Sequence, residues 1–205
     1  MVVESDIIPV DITQPELNQA IDVAKRVSAN LKDRSNLHGR DSLERFNNTL
    51  MGELAETMVL KWFRMNNKFA ESTVDKTADA PDSGHDLRVK RQSNGEVVYC
   101  SVKSSLAFSR TPERFIEQDH LASTRKEVKE INIQVHFWLT LYPQGKVSRI
   151  TVPCLRQSAI IGWFIGKNLT FTGKCYDHEG RERPDEFLKQ GESMKSLLPF
   201  LQNKS

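Results

Sequence analysis

Only three cysteines occur in the 205 residues, at Cys100, Cys154 and Cys175. An odd and scattered set excludes a disulfide framework and offers no paired zinc knuckle. His178 follows Cys175 by three positions, but no second pair stands at a spacing that would complete a zinc site. No apolar run approaches the roughly 18 residues of a membrane span. The opening Met-Val-Val-Glu-Ser-Asp lacks the basic-then-apolar pattern of a secretory signal. Internal repeats and low-complexity segments are also missing, which excludes solenoid and linker architectures. Charge of one sign is not in excess: 29 Lys and Arg against 27 Asp and Glu leave +2. That balance neither demands nor excludes nucleic acid, because binding depends on where the charges sit. The expectation is a cytoplasmic protein with reduced thiols and no membrane association.

What is present is the composition of an ordinary globular domain, 38% hydrophobic and 27% charged, long enough for one buried core. Residues 1–40 read as an N-terminal helical segment and 41–205 as the main domain, the two forming one compact unit. Residues 1–12 read as a tail or short edge segment. Thr13-Gln14-Pro15-Glu16 fits a capping box ahead of a helical stripe through Leu31, and Asp41 with Glu44 opens a second, longer helix ending near Trp62. Residues 71–85 are polar, with Pro81 and Gly84, and read as a loop. Asp86 to Val89 then reads as a strand, Ser93-Asn94-Gly95 as a hairpin turn and Val97 to Lys103 as the return strand. Thr111-Pro112 starts a helix, and Ile131 to Tyr142 is a strand that turns at Pro143-Gln144-Gly145 into Lys146 to Val152. Pro153 is expected to open a short helix through Ile161, and Met194, Leu197, Leu198 and Leu201 to form a closing helix. The order predicts an α/β fold with a central mixed β-sheet flanked by helices.

The return strand carries the chemistry. Side chains alternate, so Val98, Cys100 and Val102 point one way and Tyr99, Ser101 and Lys103 the other. A lysine ending an apolar strand needs solvent or a partner. Pairing around the Asn94-Gly95 turn brings Asp86 toward Lys103, so a carboxylate and an ammonium share one polar face. Phosphodiester cleavage uses such groups: carboxylates hold magnesium, and a lysine orients the attacking water and stabilises developing charge.

Pro81-Asp82-Ser83-Gly84-His85-Asp86-Leu87, followed by Cys100-Ser101-Val102-Lys103-Ser104-Ser105, resembles the signature of PD-(D/E)XK nucleases. Asp86, which starts the strand, fits the family's aspartate better than Asp82. Ser101 stands where the family usually has an acid. The NgoMIV-like branch of type II restriction endonucleases shares this departure, reading Ser-x-Lys and taking the acid from the following helix thirteen residues beyond the lysine. Thirteen residues lie between Lys103 and Glu117. The branch also places a glutamate on an upstream helix, for which Glu56 is first choice and Glu53, expected to point nearly opposite, is second.

The resemblance spans about residues 50–120 and implies a restriction-endonuclease-like core in a prokaryote- or phage-like setting. It further implies an Mg2+-dependent endonuclease on double-stranded DNA, working as a homodimer. Asp86, Glu117 and the Val102 carbonyl would hold the metal, Lys103 would position the water, and Glu56 would support the site. The base-reading pattern of the branch is largely missing, with Ala107 and Ser109 where Arg and Asp are expected. Arg110, Arg114, Arg125, Lys126 and Ser104 are the candidate DNA contacts. Two alternatives stay open: a repair, recombination or mobile-element nuclease that reads DNA structure, and an inactive DNA-binding module on the same fold. Gln134 and His136 share a strand face and read as interior polar groups. Tyr99, Trp62, Trp138 and Trp163 read as core.

Overall fold

Local signals start both long helices where the sequence places them. In the computed structural model, which describes residues 1–30, 41–74, 86–108, 111–139, 158–177 and 180–204, helix α1 spans Gln14–Asn30. The Thr13 N–H donates to Glu16 Oε2 at 2.7 Å and the Glu16 N–H returns to Thr13 Oγ1 at 3.5 Å. Helix α2 spans Ser42–Met65, and Asp41 Oδ1 accepts from the Glu44 N–H at 2.8 Å. Each cap satisfies backbone donors that the first turn leaves open. Ala20 and Ala24 of α1 join Leu50, Leu54 and Met58 of α2 in the main core, so the two helices form one layer.

Six strands make a mixed sheet in the order β1-β6-β5-β4-β3-β2. They are β1 (Ile8–Pro9), β2 (Ala70–Ser72), β3 (Leu87–Lys90), β4 (Val97–Phe108), β5 (Ile131–Leu139) and β6 (Ser158–Ile165). β4 and β5 run parallel; every other pair is antiparallel. The β3–β4 hairpin closes as expected, with Gly95 at φ +70°, a conformation that costs glycine little. The parallel pair requires a crossover, which carries α3 (Pro112–Gln118) with Thr111 as its N-cap.

The sheet is covered on both faces. Leu87, Val89, Val98, Cys100, Val102, Ile133 and Val135 pack under α1 and α2. On the other face Phe115 and Ile116 of α3, with Leu121, Ile161, Phe164 and Leu188, form a second cluster. A short helix α4 (Met194–Leu197), continued by a 3-10 turn through Phe200, closes the first face. The expected closing helix is thus a single turn. Cys100 and Cys175 are free thiols, and burial pushes the Cys100 thiol far up, with the Asp86 charge adding to it.

Three expectations change. Part of the predicted loop at 71–85 is strand, because Glu71 and Ser72 pair with Arg88 and Leu87; residues 75–85 lie outside the described residues. Ser158–Ile161 is strand rather than the end of a helix opened by Pro153. This stretch lies between β5 and β1 and is buried throughout, an environment that favours its Ile-Ile-Gly-Trp-Phe run as a core strand. Tyr99 is exposed, opposite the exposed Arg88, whereas Trp62 and Trp163 are core as expected. The turn at Pro143 and the strand at 146–152 lie outside the described residues, as do His178 and Cys154, and nothing is described of the Trp138 side chain. Among the described residues no helix is long and apolar enough to cross a membrane.

The C-terminal residues enter the sheet from its far side. The Phe69 N–H donates to Gln202 O at 3.0 Å, and the Gln202 N–H donates to Lys90 O at 2.8 Å. Gln202 therefore wedges between the extensions of β2 and β3.

Candidate active site

Register puts Leu87 opposite Cys100, so Asp86 stands opposite Ser101 just before β3 begins. Its N–H donates to Cys100 O at 3.0 Å. Its Oδ2 accepts the Val102 N–H at 2.6 Å and lies 3.4 Å from Ser101 Oγ. The carboxylate is thereby fixed to the backbone of β4. Residues opposite one another in an antiparallel pair share a face, so Asp86, Ser101 and Lys103 lie on one side of the sheet. The buried Cys100 and Val102 take the other. The alternation expected from sequence holds.

Lys103 has a partner that the sequence did not point to. Its Nζ lies 3.4 Å from Glu127 Oε2, and both side chains are half-buried. Thr124 Oγ1 donates to the same carboxylate oxygen at 2.8 Å. Burial raises the Glu127 pKa, but the Lys103 charge, the Thr124 hydroxyl and the nearby Arg181 outweigh it and hold the group below the usual carboxylate range. Arg181 is itself held by Asp177, which accepts from Nε at 2.7 Å and from the Arg181 N–H at 2.8 Å. Lys103, Glu127, Arg181 and Asp177 thus form an alternating series of charges that starts on β4.

A depressed carboxylate pKa adds stability above its unfolded value, here about 4.5, that disappears as pH falls through the lower folded value. Unfolding free energy should therefore drop as pH is lowered below about 4.5, and Glu127→Gln should flatten that part of the curve. Urea midpoints at pH 3, 4, 5 and 7 check this. Equal acid slopes in both proteins would show that the ion pair contributes nothing to the native state.

The segment bearing Glu127 is pinned from β5. Gln134 faces Lys103 across the parallel pair, and its Oε1 accepts the Ala122 N–H at 3.0 Å. Its Nε2 donates to Ser105 Oγ at 2.9 Å, and that hydroxyl meets His136 Nδ1 at 2.7 Å. Phe115 of α3 stacks on the His136 ring at 3.5 Å. Gln134 and His136 are wholly buried, as the interior reading required.

The other predicted positions distribute unevenly. Glu117 is exposed on α3, and among the described residues it forms no ion pair or side-chain hydrogen bond. Glu56 is 4% and Glu53 8% exposed. The expectation that Glu53 points away from the core fails, because α2 is covered both by α1 and by the sheet. Both glutamates sit in the helical layer on the face opposite Lys103. Ser104 is half-buried on β4, and Arg114 and Lys126 are exposed. Arg125 is exposed, pairs with Glu182 at 3.0 Å and donates to Phe171 O at 3.1 Å. Arg110 lies outside the described residues. Sequence reasoning missed Glu127, Asp177 and Arg181; the only local signal was Thr124 three residues before Glu127.

Among the described residues no three His, Cys, Asp or Glu side chains gather closely enough for an all-protein metal cage. Magnesium does not need one, since it keeps several waters and is commonly held by one or two carboxylates. Asp86, fixed at a strand end by the Val102 N–H, is a hard-oxygen donor of that kind, and Glu127 reaches the same face through its contact with Lys103. No protein-family model, curated protein or solved structure matches the chain.

Proposed function

We propose that the chain is an Mg2+-dependent endonuclease of double-stranded DNA, acting in the manner of a type II restriction enzyme. The reading is carried by one observation: the Asp86 carboxylate is fastened to β4 on the face where Lys103 stands two residues farther along. Asp86, with the Val102 carbonyl, would hold the metal, and bound magnesium would neutralise phosphate charge and acidify a water. Lys103 orients the attacking water and offsets charge that builds on the phosphate. Its ion pair with Glu127 keeps the ammonium on the polar face. For the second acid there are two candidates: Glu117 by its spacing and Glu127 by its contact. Exposed Arg114 and Lys126 are available to phosphates. A palindromic target calls for a homodimer, because two-fold DNA symmetry is matched by two-fold protein symmetry.

Cleavage of unmethylated plasmid and phage DNA with Mg2+ and with EDTA tests the proposal. Discrete Mg2+-dependent fragments are expected. Of Glu117→Gln and Glu127→Gln, the one that lowers the rate about 100-fold marks the acid, and the other should stay within a few-fold of the parent. Cleavage only of branched or flapped DNA would replace restriction with a structure-reading nuclease. Serine at position 101 favours a second reading, an inactive DNA-binding module; binding unaffected by Mg2+, with no cleavage of any DNA form, would establish it.

A further inference from the structure

An opening lies away from the polar face. A cavity of about 500 Å³ opens where β4 and β5 begin and β6 ends, on the face covered by the helical layer. Val98 is five residues before Lys103 on β4 and points the opposite way, so the cavity is roughly 16 Å along the strand from the candidate active site. Its interior is apolar, built by Val98, Ile131, Trp163 and Leu197, with Phe200 at the mouth. Phe200 is 60% exposed, unusual for a phenylalanine beside a closed core.

Charge at the rim is unbalanced. Arg91 is neutralised by Glu130 and lies 3.5 Å from Glu96. Lys129 and Lys167 also line the opening, and among the described residues neither forms an ion pair. Counting Glu96, three cations and two carboxylates thus border a greasy, partly enclosed volume of the size that takes small ligands, an excess of one positive charge carried on the two lysines. We propose that this cavity binds a medium-chain aliphatic carboxylate, with its chain against Trp163 and Leu197 and its carboxylate between Lys129 and Lys167. An uncharged chain satisfies the interior only, and a small polar anion satisfies the rim only. The amphipathic acid satisfies both, and long lysine stems can cover its first methylenes. This inference does not depend on the nuclease reading.

The test uses 1-anilinonaphthalene-8-sulfonate, an apolar ring system with one anionic group, as a fluorescent reporter. Hexanoate, octanoate, decanoate and decanol are titrated as competitors below micelle-forming concentrations. Displacement at one site per chain is expected, strengthening roughly three- to fourfold per added methylene while the cavity has room. The double variant Lys129→Met, Lys167→Met changes one half-buried and one exposed rim group, keeps both side-chain stems and should keep its melting temperature. It should bind decanoate at least tenfold more weakly while decanol binding is unchanged. Leu197→Trp, checked for folding by circular dichroism, should weaken both. Decanoate that displaces no reporter, binds the double variant as tightly as the parent, or binds no better than decanol would overturn the proposal. The last result would leave the cavity as a seat for an uncharged apolar group.

Discussion

On the proposed nuclease reading, replacing Lys103 with methionine is expected to lower Mg2+-dependent DNA cleavage by about 10²- to 10³-fold, the usual effect of removing one preorganised group that meets transition-state charge. Methionine keeps the length and packing of the lysine stem and removes only the ammonium. The fold should survive. The Lys103–Glu127 pair is partly solvated, and such pairs contribute on the order of 0–1 kcal/mol. Glu127 would keep its Thr124 hydroxyl and the field of Arg181. The measurement is single-turnover nicking of supercoiled plasmid, with a melting curve on the same samples. A lysine that serves only to hold Glu127 gives the reverse pattern: a lower melting temperature and parental cleavage. That pattern would remove the nuclease proposal's central group.

Phe63→Ala should destabilise the protein by about 3–5 kcal/mol, the range for emptying a fully buried phenylalanine site. Phe63 has no exposed surface, and its ring meets Trp62 at 5.3 Å. It stands near the end of α2, where its carbonyl also accepts the N–H of Lys68 as the chain turns toward β2. The alanine therefore removes packing where the helix hands the chain to the sheet. A loss of that size is a large part of the 5–15 kcal/mol by which domains are usually stable. On the same helix Leu43 is 57% exposed, and Leu43→Ala should stay within about 0.5 kcal/mol. Urea unfolding of the three proteins gives the comparison. Similar midpoints for both variants would mean that the α2 layer is not packed as described.

These two residues also show what a sequence can and cannot disclose. The second long helix was legible as far as Trp62 because helical spacing and the cap at Asp41 are local, as was the alternation along Val97 to Lys103; Phe63 lies one residue past that reading. Asp86 and Lys103 share a face by pairing across a hairpin whose turn residues are themselves a signal. Glu127 was not legible. Its contact with Lys103 depends on a parallel crossover and on Gln134 pinning Ala122, and neither leaves a periodic trace. Asp177 and Arg181 come from farther still, through a segment with no regular element. Glu53 misled for a similar reason: its position on the helix wheel implied solvent, but α2 is packed on two sides. Ser158–Ile161 was misread because a proline upstream suggested a helix start, while burial between two strands decides what an Ile-Ile-Gly-Trp run becomes. Neighbouring strands are a tertiary fact.

The wedge at Gln202 bears on how the chain folds. Its partners, Phe69 and Lys90, lie more than a hundred residues earlier, so this closure has one of the longest loops in the molecule and its entropy is among the last to be overcome. Until it forms, the outer ends of β2 and β3 present open backbone donors and acceptors. An unpaired edge of that kind is a template for another chain. The ends of β2 and β3 at Phe69 and Lys90 therefore stay open during folding until Gln202 docks, and crowding by other chains bears first on that edge.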